Sequence, residues 1–162
     1  MKAKDTSGGF SLIEVILAAS MLTVALVSVS AYYKKVLDVS YNTTLHIQSG
    51  FLLEEGFESV KLLRDTGWSN KIATLSTTTT YYLYWTGTQW TATTTKQVVE
   101  NTFTRSFTVS DVKRDGSDNI AAAGTYDAGT MKVKINVAWI RKGSGGVATD
   151  TAETYITNLF SN

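Results

Sequence analysis

Glu14 carries the chemistry that this chain displays most openly. Residues 8 to 33 read GGFSLIEVILAASMLTVALVSVSAYY, and from Leu12 to Tyr33 the glutamate is the one charged residue in an otherwise apolar run. An acidic side chain inside a bilayer-spanning helix costs about 2.5 to 3.5 kcal/mol on insertion scales, so such a group marks a functional site and calls for a partner. The obvious partner is a freed amino group. Elsewhere the chain offers little for catalysis. His46 is the single histidine, and with no cysteine in the chain it can build neither a zinc site nor a Cys/His nucleophile pair. Glu54, Glu55 and Glu58 lie close in sequence, but their spacing reads as a solvated helix face and not as a paired acid and base. There is no glycine loop for phosphate. The expectation is a protein that is not an enzyme and uses no cofactor.

The element that must position Glu14 is the apolar segment 10–33, within the range of about 17 to 25 residues that crosses a bilayer as a helix. Ser20, Thr23, Ser28 and Ser30 are tolerable inside it because their hydroxyls can bond carbonyls of the preceding turn. Ala18, Ala19, Ser20 and Ala25 narrow its surface and favour close helix-to-helix packing in lipid. Tyr32, Tyr33, Lys34 and Lys35 read as an interfacial anchor. Beyond them the helix continues over 34–67 with a one-sided stripe of Leu45, Ser49, Leu52, Leu53, Gly56, Val60 and Leu63. Glu58 to Lys61 and Lys61 to Asp65 stand at pairing distance on the other side. Asp65, Thr66 and Gly67 supply the stop, with the glycine expected in a left-handed conformation.

From residue 68 to 162 the texture becomes that of strands. Tyr81 to Trp85, Gln89 to Thr94, Val98 to Val109, Met131 to Ile140 and Thr151 to Phe160 are rich in threonine, aromatic and β-branched residues. In MKVKINVAWI, Val133, Ile135, Val137 and Trp139 alternate with Lys132, Lys134, Asn136 and Ala138, the pattern of an antiparallel strand with one wet face. Phe103, Arg105, Phe107 and Val109 repeat it with an arginine on the apolar side. The sheet is expected to bury its apolar face on the helix stripe, which gives an α+β fold.

The head of the chain, a basic leader closed by Gly9 and followed by FSLIEV at the start of an apolar span, resembles the class III leader and amino-terminal segment of type IV prepilins and type II secretion pseudopilins. The stretch LLEEGFESVKLLRDTGW resembles the second half of the long helix in minor pilins, and MKVKINVAWIRKG with ETYITNLF resembles the last strands of PilV-like minor pilins. The resemblance implies a type IV pilin-like fold, a leader over 1–9, cleavage between Gly9 and Phe10, methylation of the new Phe10 amine, and Glu14 as the family's assembly glutamate. It implies a structural filament subunit of a type IV pilus or pseudopilus, in the minor class. The partners it implies are other pilin subunits, the prepilin peptidase and methyltransferase, the inner-membrane assembly machinery and the bilayer. Its location would be single-pass in the inner membrane, then a periplasmic or extracellular filament. The chain departs from the family in having no cysteine, where many pilins carry a disulfide, and no proline, where Ala31 occupies the site of a frequent helix-kinking proline.

Alternatives within the class are a type II secretion or competence minor pseudopilin. Outside it stands a membrane-anchored protein whose head binds a surface, DNA or a sugar without polymerising. An ordinary secretory signal cut before Ala31 would have an overlong apolar region interrupted by Glu14. Glu14 also has capping-box spacing from Ser11, a local role compatible with the other. The formal charge of +1 falls to zero once Lys2, Lys4 and Asp5 leave with the leader, so no basic face for a nucleic acid is foreseen. In SDVKRDGSDNIAAAGTYDAGT, Asp111, Asp115, Asp118, Asn119 and Asp127 could supply oxygens to Ca²⁺, as some pseudopilins do. Their order is not that of an EF-hand, and the segment reads first as a solvated hairpin loop without metal.

Overall fold

The computed structural model describes residues 8–159. One α-helix, α1 (Leu12–Thr66), precedes a short π-helical turn, Trp68–Ile72, and six strands: β1 (Tyr81–Trp85), β2 (Trp90–Thr93), β3 (Thr104–Arg114), β4 (Ile120–Ala121), β5 (Thr125–Ile140) and β6 (Val147–Thr157). The strands form one antiparallel sheet in the order β2-β1-β3-β5-β6, with β4 paired to the far end of β3. The layout is α+β. Contacts divide the chain into two compact units, 1–41 and 42–162.

In the first unit α1 carries no charged residue on any side from Val15 to Tyr33, and the stretch of it that is long and apolar enough to cross a membrane buries none of its residues against the protein. Such a surface needs a cover of lipid or of other apolar helices. The hydroxyls behave as their spacing predicts: Ser20 donates to the Leu17 carbonyl, Thr23 to Ala19, Ser28 to Val24 and Ser30 to Leu26, all at 2.8 to 2.9 Å. Lys2, Lys4 and Asp5 lie outside the described residues.

In the second unit the remainder of α1 lays its stripe on the sheet. Leu45, Ser49, Gly56, Ser59, Val60 and Leu63 are buried, and Leu52 and Leu53 pack at the margin. Two apolar clusters result. One joins Val60, Leu63, Trp68 and Ile72 to Leu83, Phe107, Val109, Val133, Ile135 and Ile156. The other joins Leu45 to Phe103, Val137, Trp139 and Ala148. Gly56 permits the close approach: a Cβ there would lie 3.0 Å from Ile135 Cδ1 and 3.3 Å from Arg105 Cδ.

Several sequence expectations need correction. Gly67 ends α1 at φ 157° and ψ 105°, not in the left-handed helical region, because the chain must turn directly into Trp68–Ile72, whose two apolar ends are buried. Asp65 pairs with the adjacent Arg64 at 2.8 Å and not with Lys61, which takes Glu58 at 2.7 Å. Residues 98–103 are not strand: Glu100 and Asn101 have positive φ, and the Phe103 amide closes the turn onto the Val99 carbonyl at 2.9 Å. The segment 110–130 is not mainly a loop. β3 runs on to Arg114 and β5 starts at Thr125, pairing through a β-bulge between Asp111 and Lys113, so the connection proper is 115–124 with β4 inside it. The last strand begins earlier than Thr151, at Val147, and ends at Thr157; Phe160 lies outside the described residues.

Candidate functional site

Gly9 and Phe10 precede the first turn of α1, and Glu14 sits within that turn, where a carboxylate also suits the positive end of the helix dipole. The amides of Glu14 and Val15 donate to the Ser11 carbonyl at 3.0 and 3.2 Å, which starts the helix at the residue that the capping spacing singles out. Gly9 has open space where a Cβ would stand. Phe10 is 82% exposed, and Glu14 is exposed with no ion-pair partner among the described residues. Phe10, Glu14, Val15, Ala18, Ala19 and Leu22 line one shallow concavity of almost wholly apolar surface. The small side chains of Ala18 and Ala19 make that hollow, and Glu14 stands at its rim. A cation presented to it from an apolar neighbour would find a carboxylate that no described residue pairs with, beside a hollow of small side chains.

The acidic segment resolves differently. Asp118 and Asp127 meet at Arg114: its Nε donates to Asp127 Oδ2 at 2.7 Å and lies 3.6 Å from Asp118 Oδ1, and its Nη1 donates to the Asp118 carbonyl at 2.8 Å. The hydrogen bond from Arg114, then that from Thr130, holds the Asp127 carboxyl below the usual carboxylate range, and the same bond raises Arg114. Asp115 is lowered by the backbone amides of Asn119 and Ser117, which donate to its Oδ1 at 3.0 and 2.9 Å. Asp111 is separate, paired with Met131 across β3 and β5 and lining a different concavity. Among the described residues no group of three or more acidic, histidine or cysteine side chains is arranged to hold a metal ion.

Two contacts escaped the linear reading because their partners are far apart in sequence. His46 Nδ1 meets Asp150 Oδ2 at 2.8 Å, and the hydroxyl of buried Ser49 lies within bonding distance of both that oxygen and the His46 carbonyl, so α1 is tied to β6 beside Trp139. Serine and histidine share one carboxylate oxygen here, without the serine-to-imidazole bond that nucleophile activation requires. Arg105, 3% exposed, turns inward from β3, donates to Glu55 at 2.8 Å and to the Leu52 carbonyl at 3.2 Å, and lies over the Trp90 ring. Glu55 is therefore a structural counter-charge, not part of a merely solvated face.

Comparison with family models, with curated proteins and with solved structures finds no match for this chain. What the molecule itself defines is an α+β protein with one amino-terminal helix long and apolar enough to span a membrane.

Proposed function

We propose that this chain is a structural subunit, of the minor class, of a type IV pilus or related pseudopilus, matured by cleavage between Gly9 and Phe10 and assembled through its amino-terminal helix. The observation that carries this reading is the single carboxylate of Glu14, one turn beyond Phe10, on a helix whose apolar surface is exposed all round. Cleavage gives Phe10 a positive amine at the membrane end of the helix. A carboxylate taken into lipid loses its hydration, and a neighbouring amine offsets that loss. An incoming subunit's Phe10 amine beside a resident subunit's Glu14 neutralises both charges and fixes the axial register of the new helix. Docking is then favoured over residence in lipid. In this reading the chain is a substrate of a prepilin peptidase and its methyltransferase, not an enzyme. It starts as a single-pass inner-membrane protein and ends in the filament.

The test is a Glu14→Val subunit expressed beside a functional assembly machine. Mass spectrometry is expected to find its mature terminus at a methylated Phe10 and membrane levels like the parent's, whereas immunoblots of sheared filaments show at least a tenfold loss. Normal incorporation of Glu14→Val, or recovery only of chains starting at Met1 or Ala31, would overturn the reading.

A further inference from the structure

The face of the sheet turned away from α1 has a composition that the filament reading leaves unused. No charged residue occurs between Lys71 and Lys96, the stretch that holds β1 and β2. Strand pairing then aligns this neutral hairpin with the outer positions of the other strands. Thr93 stands opposite Tyr82, Tyr82 opposite Ser106, Ser106 opposite Asn136, and Asn136 opposite Thr151. Five strands thus contribute one continuous row of hydroxyl and amide side chains, about 19 Å from end to end at the usual strand spacing. The Thr151 hydroxyl donates to Asn136 Oδ1 at 2.9 Å, which orients the amide. On β1, Tyr84 follows Tyr82 on the same face and is 47% exposed. The alternating residues Arg105, Phe107, Ile135 and Val137 are buried on the other side, so the row sits on a rigid, fully packed sheet.

We infer that this outer face binds a neutral polysaccharide, with Tyr82 and Tyr84 as the stacking platform and the Thr93, Ser106, Asn136 and Thr151 row pairing with sugar hydroxyls. Aromatic rings stack on the C–H faces of pyranose rings, and the phenol tips stay in water. Hydroxyl and amide side chains both donate and accept, as sugar hydroxyls do. Charge offers a polyanion little: the nearest lysines on this face, Lys132 and Lys134, both lie against Glu153, at 2.5 and 3.5 Å, which leaves a single net positive charge beside the row. The inference does not depend on polymerisation.

The full-length chain, purified in a detergent without a sugar headgroup, is run in native gels containing hydroxyethyl cellulose, glucomannan or dextran, with alginate as the charged control. Retardation is expected in at least one neutral gel and not in alginate. Tyr82→Ala/Tyr84→Ala should weaken it at least tenfold at an unchanged unfolding temperature, while Tyr84→Phe, which keeps the ring, and Lys134→Ala retain it. If the double variant does not fold, Tyr84→Ala alone, at the more exposed ring, is required to weaken retardation at least threefold. The inference is overturned by no retardation in any neutral gel, by equal retardation in alginate, or by platform variants that migrate like the parent. It is equally overturned if sedimentation shows the face consumed by self-association that the tyrosine variants abolish.

Discussion

Arg105 and Arg114 show how two residues of one strand settle the same charge in different settings. Arg105 points into the core, where a guanidinium is tolerated because Glu55, the Leu52 carbonyl and the Trp90 ring receive it. Arg114 lies at the end of β3, where its bond to Asp127 joins the strand to β5 across the hairpin. The Asp127 carboxyl is held below its ordinary value by that bond, so the folded protein binds this proton less readily than the unfolded chain. Its contribution to stability is complete above the unfolded carboxyl value of about 3.9 and is lost as pH falls through the lower folded value. Asp127→Asn is therefore expected to lower the unfolding temperature near neutral pH, with the gap from the parent closing as pH is taken from roughly 6 to 2. Asp115 and Glu153 are shifted in the same direction and keep an acid limb in both proteins. A gap that stays constant over the whole titration would show that the Arg114 bond does not set the proton affinity of Asp127.

At the scale of elements, the two glycines inside α1 have opposite meanings that their sequence context does not separate. Gly50 has no neighbour where a Cβ would project, so Gly50→Ala should gain helix propensity and stabilise the fold by about 0.5 to 1 kcal/mol. Gly56 lies against Ile135 and Arg105, so the same gain is offset by crowding, and Gly56→Ala should be less stable than Gly50→Ala by about 1 kcal/mol or more. Urea unfolding of the two variants decides it; equal stabilisation by both would mean that α1 does not approach β5 so closely. The same contrast marks how far the sequence could be read. The alternation in Met131–Ile140 and the stripe on α1 were legible because one buried face leaves a period, and Gly9, Phe10 and Glu14 stand out in the sequence because they border or interrupt the apolar run. The hairpin arms at 110–114 and 125–130 were not, because each buries one residue, Val112 or Thr130, too few to leave a period among Asp, Lys and Gly of the kind a loop carries. His46 with Asp150, and Arg105 with Glu55, could not be paired from a linear reading, since it is the registry of helix on sheet that brings them together.

At the scale of the molecule, every buried apolar residue of both core clusters lies in the unit 42–162, and the earliest of them is Leu45. The Lys142 amide also donates to Asn42 Oδ1 at 2.9 Å, while Asn42 Nδ2 donates to the Lys142 carbonyl at 3.1 Å, fastening the start of that unit to the turn between β5 and β6. Nothing in these contacts calls on a metal or a disulfide. A chain truncated to begin at Lys34 keeps them all and sheds the apolar span. It should be soluble without detergent and unfold in one cooperative transition. Truncation to begin at Gly50 removes Leu45, His46 and Ser49 together. That opens a cavity beneath Trp139 and leaves Asp150 without both of its partners on α1. The combined loss of a buried leucine, worth about 2 to 5 kcal/mol, and of bonds to a charged group should remove much of a margin of about 5 to 15 kcal/mol. Circular dichroism melts of the two fragments test this division directly. If the fragment from Gly50 melts as high as the fragment from Lys34, the first turns of the second unit are an extension of the apolar span and not part of the core of 42–162.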